Sequence, residues 1–392
     1  MASRGLPSVL FIAGTTAVGK TDLSIQLAKL LGGEIVSADS VQVYKCMDIG
    51  SAKIDKSIRD EVRHHMIDVV DVRTPFNVAD FCQLANEAMI DIIKRGKVPI
   101  VVGGTSFYFN FLMGGETGAP PSTESSRAYI DELLAEDGGD WDKSFSRLQS
   151  LDPTYAAVVQ CNDWYRLKRG LDICIQSGRT VTSFKVDKHD VKLPYSYHCL
   201  FLTMPRVQLY RRIDERCEIM TKNGLLKEVI DLVRNHGLVA ESPPGKSIGY
   251  CETLKYLSES WGFPHSPCDD HATDRNTIRK EFLEFISDYQ ASTRQLACKQ
   301  MVWFKREDSF HWLNMSSGGE GRLSVELVAE RVKDWFLTGR PLPPEWDGSS
   351  LKKLTRVQEK ELMLYLSVRT IYSSDDDIDK TILEVTDCLN YK

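Results

Sequence analysis

The chain has 392 residues, more than one average domain, so two or three folding units are expected. Its hydrophobic fraction of 42 % and charged fraction of 27 % are those of an ordinary globular protein with material for a large core. No apolar run approaches the roughly 18 residues of a membrane span, and the net charge of −6 argues weakly against a nucleic-acid partner unless basic residues cluster locally.

Met1 to Ser8 is too short and polar for a secretory signal, so a cytoplasmic address is expected, or an organelle if a presequence precedes it. Val9 to Ala13 is apolar throughout and predicts a short buried strand. Thr21 to Leu31 has helical spacing and stops at Gly32-Gly33. Glu34 to Ala38 predicts a second strand, Phe81 to Arg95 an amphipathic helix closed by Gly96, and Val98 to Val102 a third strand. This alternation implies a parallel sheet covered by helices. From Gly114 to Leu193 the pattern turns helical and is broken by Pro120-Pro121, Gly138-Gly139 and Pro153, which predicts a helical insert. Tyr197 to Met204 restores a strand, Leu209 to Leu232 and Asn276 to Phe304 read as long helices, and the SSGGEG run after Met315 reads as a linker. Beyond it lie one helix-like stretch, Val325 to Phe336, and an acidic SSDDDID run expected to be a solvated surface. The ten cysteines stand singly, so reduced thiols packed as small hydrophobes are expected rather than disulfides or a zinc site.

Gly14, Thr15, Thr16, Ala17, Val18, Gly19, Lys20 and Thr21 fit G-x-x-x-x-G-K-[ST] between a strand and a helix. In that context backbone amides and the helix N-terminus surround phosphate oxygens, Lys20 neutralises them, and Thr21 is placed to hold Mg²⁺. A conventional kinase or NTPase also offers a carboxylate after an apolar strand. Strand Val98 to Val102 ends instead in Gly103-Gly104-Thr105, whereas Glu34 to Ala38 ends in Asp39, followed by Ser40, Gln42 and Tyr44. Ligands of open α/β sheets bind at the carboxyl ends of strands, so Asp39, Thr105 and the phosphate loop are expected to converge. Asp39 is then either a metal ligand or a general base.

The series GTTAVGKT, SADSVQVYKCMDIGSAK (37–53), HHMIDVVD (64–71), FNVADF (76–81) and VPIVVGGTSFYF (98–109) closely resembles the tRNA dimethylallyltransferase (tRNA isopentenyltransferase, IPP transferase) family. Leu151-Asp152-Pro153, Asn162-Asp163-x-x-Arg166-x-x-Arg169, Arg212-Ile213-Asp214-x-Arg216, Ser247-Ile248-Gly249-Tyr250 and TRQLACKQMVWF (293–304) continue the match in family order. The resemblance implies an α/β fold: a P-loop NTPase-like parallel sheet core, residues 1–113 and 197–313, with a helical tRNA-binding insertion at 114–196. Residues 314–392 form a C-terminal tail outside the resemblance and are assigned no role.

By this resemblance the chain moves a dimethylallyl group from dimethylallyl diphosphate to the exocyclic amine of an adenosine beside the anticodon of tRNA. The phosphate loop, Gly14 to Thr21, would hold a diphosphate rather than ATP, with Mg²⁺ as cofactor. Asp39 matches the family's base, Thr105 the residue beside the bridging oxygen, and Lys20 and Arg216 the cations that stabilise the leaving group. Asp39, Ser40, Val41, Gln42 and Thr105 match the segment that meets the flipped base. Arg127, Tyr165, Arg166, Lys168 and Arg169 match RNA contacts of the insertion, and Arg294, Lys299 and Gln300 those of the last helix. These basic patches answer the acidic net charge. A monomer acting on tRNA, with no membrane partner, is expected.

Three departures stand out: Cys298 and Cys251 occupy positions where the family is usually basic, and after residue 300 only His311 and Cys388 could serve a zinc-finger extension, too few to build one. Two other readings remain open at this stage, an adenylate dimethylallyltransferase acting on free AMP or ATP, and a P-loop small-molecule kinase in which Asp39 holds Mg²⁺. The long helical insert favours tRNA over the first.

Overall fold

The structure, a computed structural model, describes residues 6–114, 118–184, 191–264, 275–316 and 323–390. It divides into two compact units, Met1–Phe109 with Pro194–Lys392, and Asn110–Leu193.

The first unit is built on a six-stranded, all-parallel sheet of order β3-β2-β4-β1-β5-β6. The strands are β1 (Ser8–Gly14), β2 (Glu34–Ala38), β3 (His64–His65), β4 (Pro99–Gly103), β5 (Ser196–Thr203) and β6 (Phe310–Asn314). Parallel strands covered on both faces need apolar side chains in both directions, which is why SVLFIAG and PIVVG read as continuous apolar runs. Helix α1 (Lys20–Leu31) follows β1, ends on Gly32 at φ 60°, and buries Leu23 and Leu27. Helix α2 (Lys56–Glu61) precedes β3, and α3 (Val78–Lys94) opens with an Asn77–Asp80 capping box. Helix α4 (Ser106–Leu112) leaves the end of β4.

The second unit consists of helices α5 (Glu124–Ala135), α6 (Trp141–Leu151), α7 (Pro153–Ala156) and α8 (Trp164–Ser177), with no strand among its described residues. Its core gathers Ile130, Leu134, Leu148, Leu167 and Leu171 beside Trp141 and Trp164. Gly170 is required there, because a Cβ would fall 2.7 Å from the Tyr155 ring.

The first unit resumes with α9 (Arg206–Lys222), α10 (Leu225–Asp231), α11 (Tyr250–Trp261) and α12 (Arg275–Phe304). The single helix expected from Leu209 to Leu232 is therefore two: Gly224, at φ 106°, breaks it. Strand β6 was not expected, because FHWLN interrupts its apolar run with His311, which is solvent-facing at the sheet edge. The segment after β6 contains more than the one expected helix: α13 (Val325–Thr338) packs on α1, and α14 (Arg356–Met363) and α15 (Asp375–Asn390) follow. The SSGGEG run lies almost wholly outside the described residues. The acidic run caps α15 instead of being only solvated: Asp375 and Asp379 pair with Arg279 of α12, and Ile378 between them is 1 % exposed. The expectation that the thiols are packed away holds for Cys82, Cys174, Cys199 and Cys217, whereas Cys46, Cys161 and Cys251 are exposed; Cys268 lies outside the described residues. No described helix is long and apolar enough to cross a membrane.

Candidate active site

Register puts the functional loops side by side. Ala38 of β2 and Ala13 of β1 both pair with Gly103 of β4, so Asp39, Gly104-Thr105 and the loop from Gly14 leave the sheet at one level. Gly103 must lack a side chain, since a Cβ would stand 2.0 Å from the Ala38 carbonyl oxygen. The phosphate loop turns through Ala17 (φ 62°) and Gly19 (φ 99°) into α1, whose N-terminus it presents. The Lys20 ammonium folds over the loop, donating to the carbonyls of Gly14 (3.0 Å) and Thr15 (2.8 Å). Thr21 is exposed at the first turn of α1.

Asp39 is pinned through one oxygen: Oδ1 accepts from the amides of Val41 (2.8 Å) and Gln42 (3.3 Å), and among the described residues Oδ2 accepts nothing. Thr105 Oγ1 accepts from the Ser40 amide at 3.1 Å, and among the described residues its own proton reaches only Ser40 Oγ, at 3.5 Å. Arg212 Nε donates to the Ala17 carbonyl at 2.9 Å, which ties α9 to the phosphate loop. Arg216 lies one turn further along α9. Its charge, after burial itself, depresses Lys20 to about 7, with Asp39 opposing both. The electrostatics thus join Lys20, Arg216 and Asp39 in one field around the loop.

Other anticipated residues have their atoms engaged in structure. Gln42 accepts from Ser37 Oγ (2.9 Å) and donates to the Ser51 carbonyl (3.2 Å). Gln300 is 8 % exposed and bridges two site loops, accepting from the Thr16 amide (2.9 Å) and donating to the Gly104 carbonyl (3.2 Å). Replacing Gln300 with Ala leaves both loop groups without that partner. The expected cost is about 1–3 kcal/mol of stability, read as a lowered denaturant midpoint at unchanged slope. Arg294 pairs with Asp214, whereas Lys299 is exposed.

In the second unit, Tyr165 is 81 % exposed at the start of α8. Arg166 pairs with Asp163, Lys168 with Asp131, and Arg169 with Asp172 at 2.9 Å. Arg127 is exposed on α5, one turn before Asp131, so Arg127 and Lys168 share a surface. The exposed pairs of Arg166 and Lys168 contribute about 0–1 kcal/mol and can be exchanged for phosphate at little cost, whereas Arg169 pairs with a buried Asp172 and also donates to Ser122 Oγ (2.8 Å) and the Pro120 carbonyl (2.6 Å).

Several features were not legible beforehand. Glu228 of α10 accepts from the amides of Asp48 (2.9 Å), Ile49 (2.6 Å) and Gly50 (3.1 Å) and from the Tyr250 hydroxyl (2.7 Å), and so holds the loop that follows Asp39. Cys298 Sγ accepts a hydrogen bond from Arg206 Nη1 and shares another with the Tyr210 hydroxyl, at 3.1 Å each, so a guanidinium from α9 stands beside the cysteine. The G-L-L-K-E and S-I-G-Y stretches carried the residue types, but only the fold pairs Glu228 with its loop.

Comparison with known proteins gives concordant findings. A sequence profile described as IPP transferase matches residues 42–307, and one described as Isopentenyl transferase matches residues 7–72. A tRNA dimethylallyltransferase of Protochlamydia amoebophila is 35% identical over 78% of this chain and 84% of its own length. The tRNA dimethylallyltransferase 9 of Arabidopsis thaliana is 36% identical over 79% of this chain and 71% of its own. Among solved structures, a eukaryotic dimethylallyltransferase acting on tRNA superimposes with a TM-score of 0.70 at 25% identity, covering 95% of this chain and 90% of that one.

Proposed function

The chain belongs to the IPP transferase family, whose curated members named above are tRNA dimethylallyltransferases, and from that premise we propose that it transfers a dimethylallyl group from dimethylallyl diphosphate to the exocyclic amine of the adenosine 3′ to the anticodon of tRNA. The observation that carries this reading is the meeting of a phosphate loop, an Asp39 with one open oxygen and the Thr105 hydroxyl at adjacent strand ends.

In the reaction the adenine nitrogen attacks C1 of the prenyl group, the C1–oxygen bond breaks, and pyrophosphate leaves with the bonding electrons. Asp39 Oδ2 accepts the proton the amine sheds, while Oδ1 stays fixed by two amides. The Thr105 proton, only loosely held, is available to the bridging oxygen. Lys20 and Arg216 meet the charge that grows on the leaving group. Among the described residues no group of three or more His, Cys, Asp or Glu could cage a metal. The donor set, one Thr21 hydroxyl, suits a Mg²⁺ that keeps its waters and binds through the diphosphate, where it would neutralise phosphate charge.

The target base must leave the anticodon stack, which unstacking partners make affordable. Tyr165 offers such a stacking face, and Arg127, Arg166 and Lys168 offer cations for the backbone; Lys299 does so from α12. Replacing Arg166 with Ala is expected to weaken tRNA binding and flatten the slope of log affinity against log salt by about 0.7, the contribution of one phosphate contact to a single strand. Filter binding across a salt series reads it.

The deciding experiment supplies labelled dimethylallyl diphosphate with either unmodified tRNA carrying adenosines beside the anticodon or AMP. Label entering tRNA and not AMP is expected. Label entering AMP alone would overturn the proposal.

A further inference from the structure

Helix α9 carries two sets of charged residues on opposite faces. Arg212 and Arg216 are one turn apart, as are Asp214 and Glu218, and an offset of two residues is a rotation of about 200°. The arginines therefore face the phosphate loop, where Arg212 holds the Ala17 carbonyl, and the acids face away from it. Those acids are not at the surface: Asp214 is 1 % and Glu218 0 % exposed. A buried carboxylate is tolerated only where hydrogen bonds or counter-charges replace its water.

Their partners come from the segment between α14 and α15. Glu218 Oε2 accepts three successive backbone amides, from Thr370 (3.0 Å), Ile371 (2.7 Å) and Tyr372 (3.1 Å). Asp214 Oδ2 accepts from the Tyr365 hydroxyl at 2.7 Å, while Oδ1 pairs with Arg294 of α12. Gln290 of α12 links the two layers. It donates to the Asp214 carbonyl (3.2 Å) and to Glu218 Oε1 (3.3 Å), and accepts from Ser367 Oγ at 2.7 Å. The ring of Tyr372 is buried, and that of Tyr365 lies edge-on to Tyr210 at 5.5 Å. Burial, then the Asp214 carboxylate, raises the Tyr365 phenol, so it remains a donor.

We infer that Tyr365–Tyr372 is a positioning strap: by satisfying Asp214 and Glu218 on the back of α9, it fixes the rotation at which Arg216 meets the leaving group. This rests on the reading of Arg216 given above. Tyr365, Asp214 and Glu218 touch no reacting atom and act through Arg216.

A double-mutant cycle in the full-length protein tests it, with the single-turnover rate of prenyl transfer to tRNA measured at saturating substrates. Tyr365→Phe removes one hydroxyl and is expected to slow transfer about fivefold, the worth of one hydrogen bond, with tRNA affinity unchanged. Glu218→Gln, which keeps the side-chain shape, is expected to cost about tenfold or more, as befits a charged acceptor. In the Arg216→Ala background neither change is expected to add a further loss. Equal fold-losses in both backgrounds, or a lowered melting temperature with an unchanged rate, would overturn the strap's positioning role. A slow Arg216→Ala beside an unaffected Tyr365→Phe overturns the strap alone. A fully active Arg216→Ala removes the reading of Arg216 itself, and the strap proposal with it.

Discussion

Replacing Asp39 with Ala is expected to lower the single-turnover rate of prenyl transfer by about 10²–10⁴, the range of a positioned general base, while tRNA binding survives. One carboxylate oxygen is committed to the Val41 and Gln42 amides, which orients the other outward at the end of β2. An exocyclic amine is a weak nucleophile until its proton has somewhere to go, and Oδ2, which accepts no hydrogen bond among the described residues, is free to take it. Parallel losses in rate and in tRNA affinity would reassign Asp39 to structure, as a turn former that shapes Ser40 to Gln42. The measurement is therefore a pair, rapid-quench transfer beside equilibrium binding.

The second large effect is expected at Lys20. Replacing it with Ala should cost about 10²–10³ in rate, the usual magnitude for one preorganised group at developing negative charge. The same residue makes a pH prediction whose sign follows from linkage. Burial and the neighbouring Arg216 hold the free amine down at about 7. A bound diphosphate favours the charged form and raises that pKa. Below pH 7 Lys20 is charged with or without ligand, and binding takes up no proton there. Above pH 7 the free amine is neutral and the complex is charged, so binding takes up as much as one proton. Affinity for pyrophosphate then falls by up to about tenfold per pH unit as pH rises through 7. Calorimetry in buffers of different ionisation enthalpy reads the total proton balance, and the uptake lost in Lys20→Ala is the share of Lys20, the titration of pyrophosphate itself being common to both proteins.

The parts of the site readable in the sequence are those whose meaning is local. Gly14 to Thr21 is a strand, a turn and a helix start in consecutive residues, and Asp39 and Gly103-Gly104-Thr105 each end an apolar strand, so the convergence rule for open sheets brings them together. Gln300 was different. It reads as one polar residue on a basic, aromatic helix, and only the fold brings it to Thr16 and Gly104, 284 and 196 residues away. Arg294, expected among the tRNA contacts, is paired with Asp214. The C-terminal segment was opaque for a related reason. The apolar positions of α15, Ile378, Ile382, Val385 and Leu389, do fit a helix, but the SSDDDID run ahead of them reads as solvated until Arg279 is placed opposite. Edge strand β6 has too few apolar residues to be read alone, and it exists because β5 offers it a partner.

On the proposed function the phosphate loop holds a diphosphate about to leave, not a nucleoside triphosphate to be split. This is tested most directly by counting products in a single turnover with no nucleoside triphosphate present. One pyrophosphate is expected for each prenyl group entering tRNA, released at the same rate. Transfer that requires ATP, or release of inorganic phosphate in place of pyrophosphate, would contradict it.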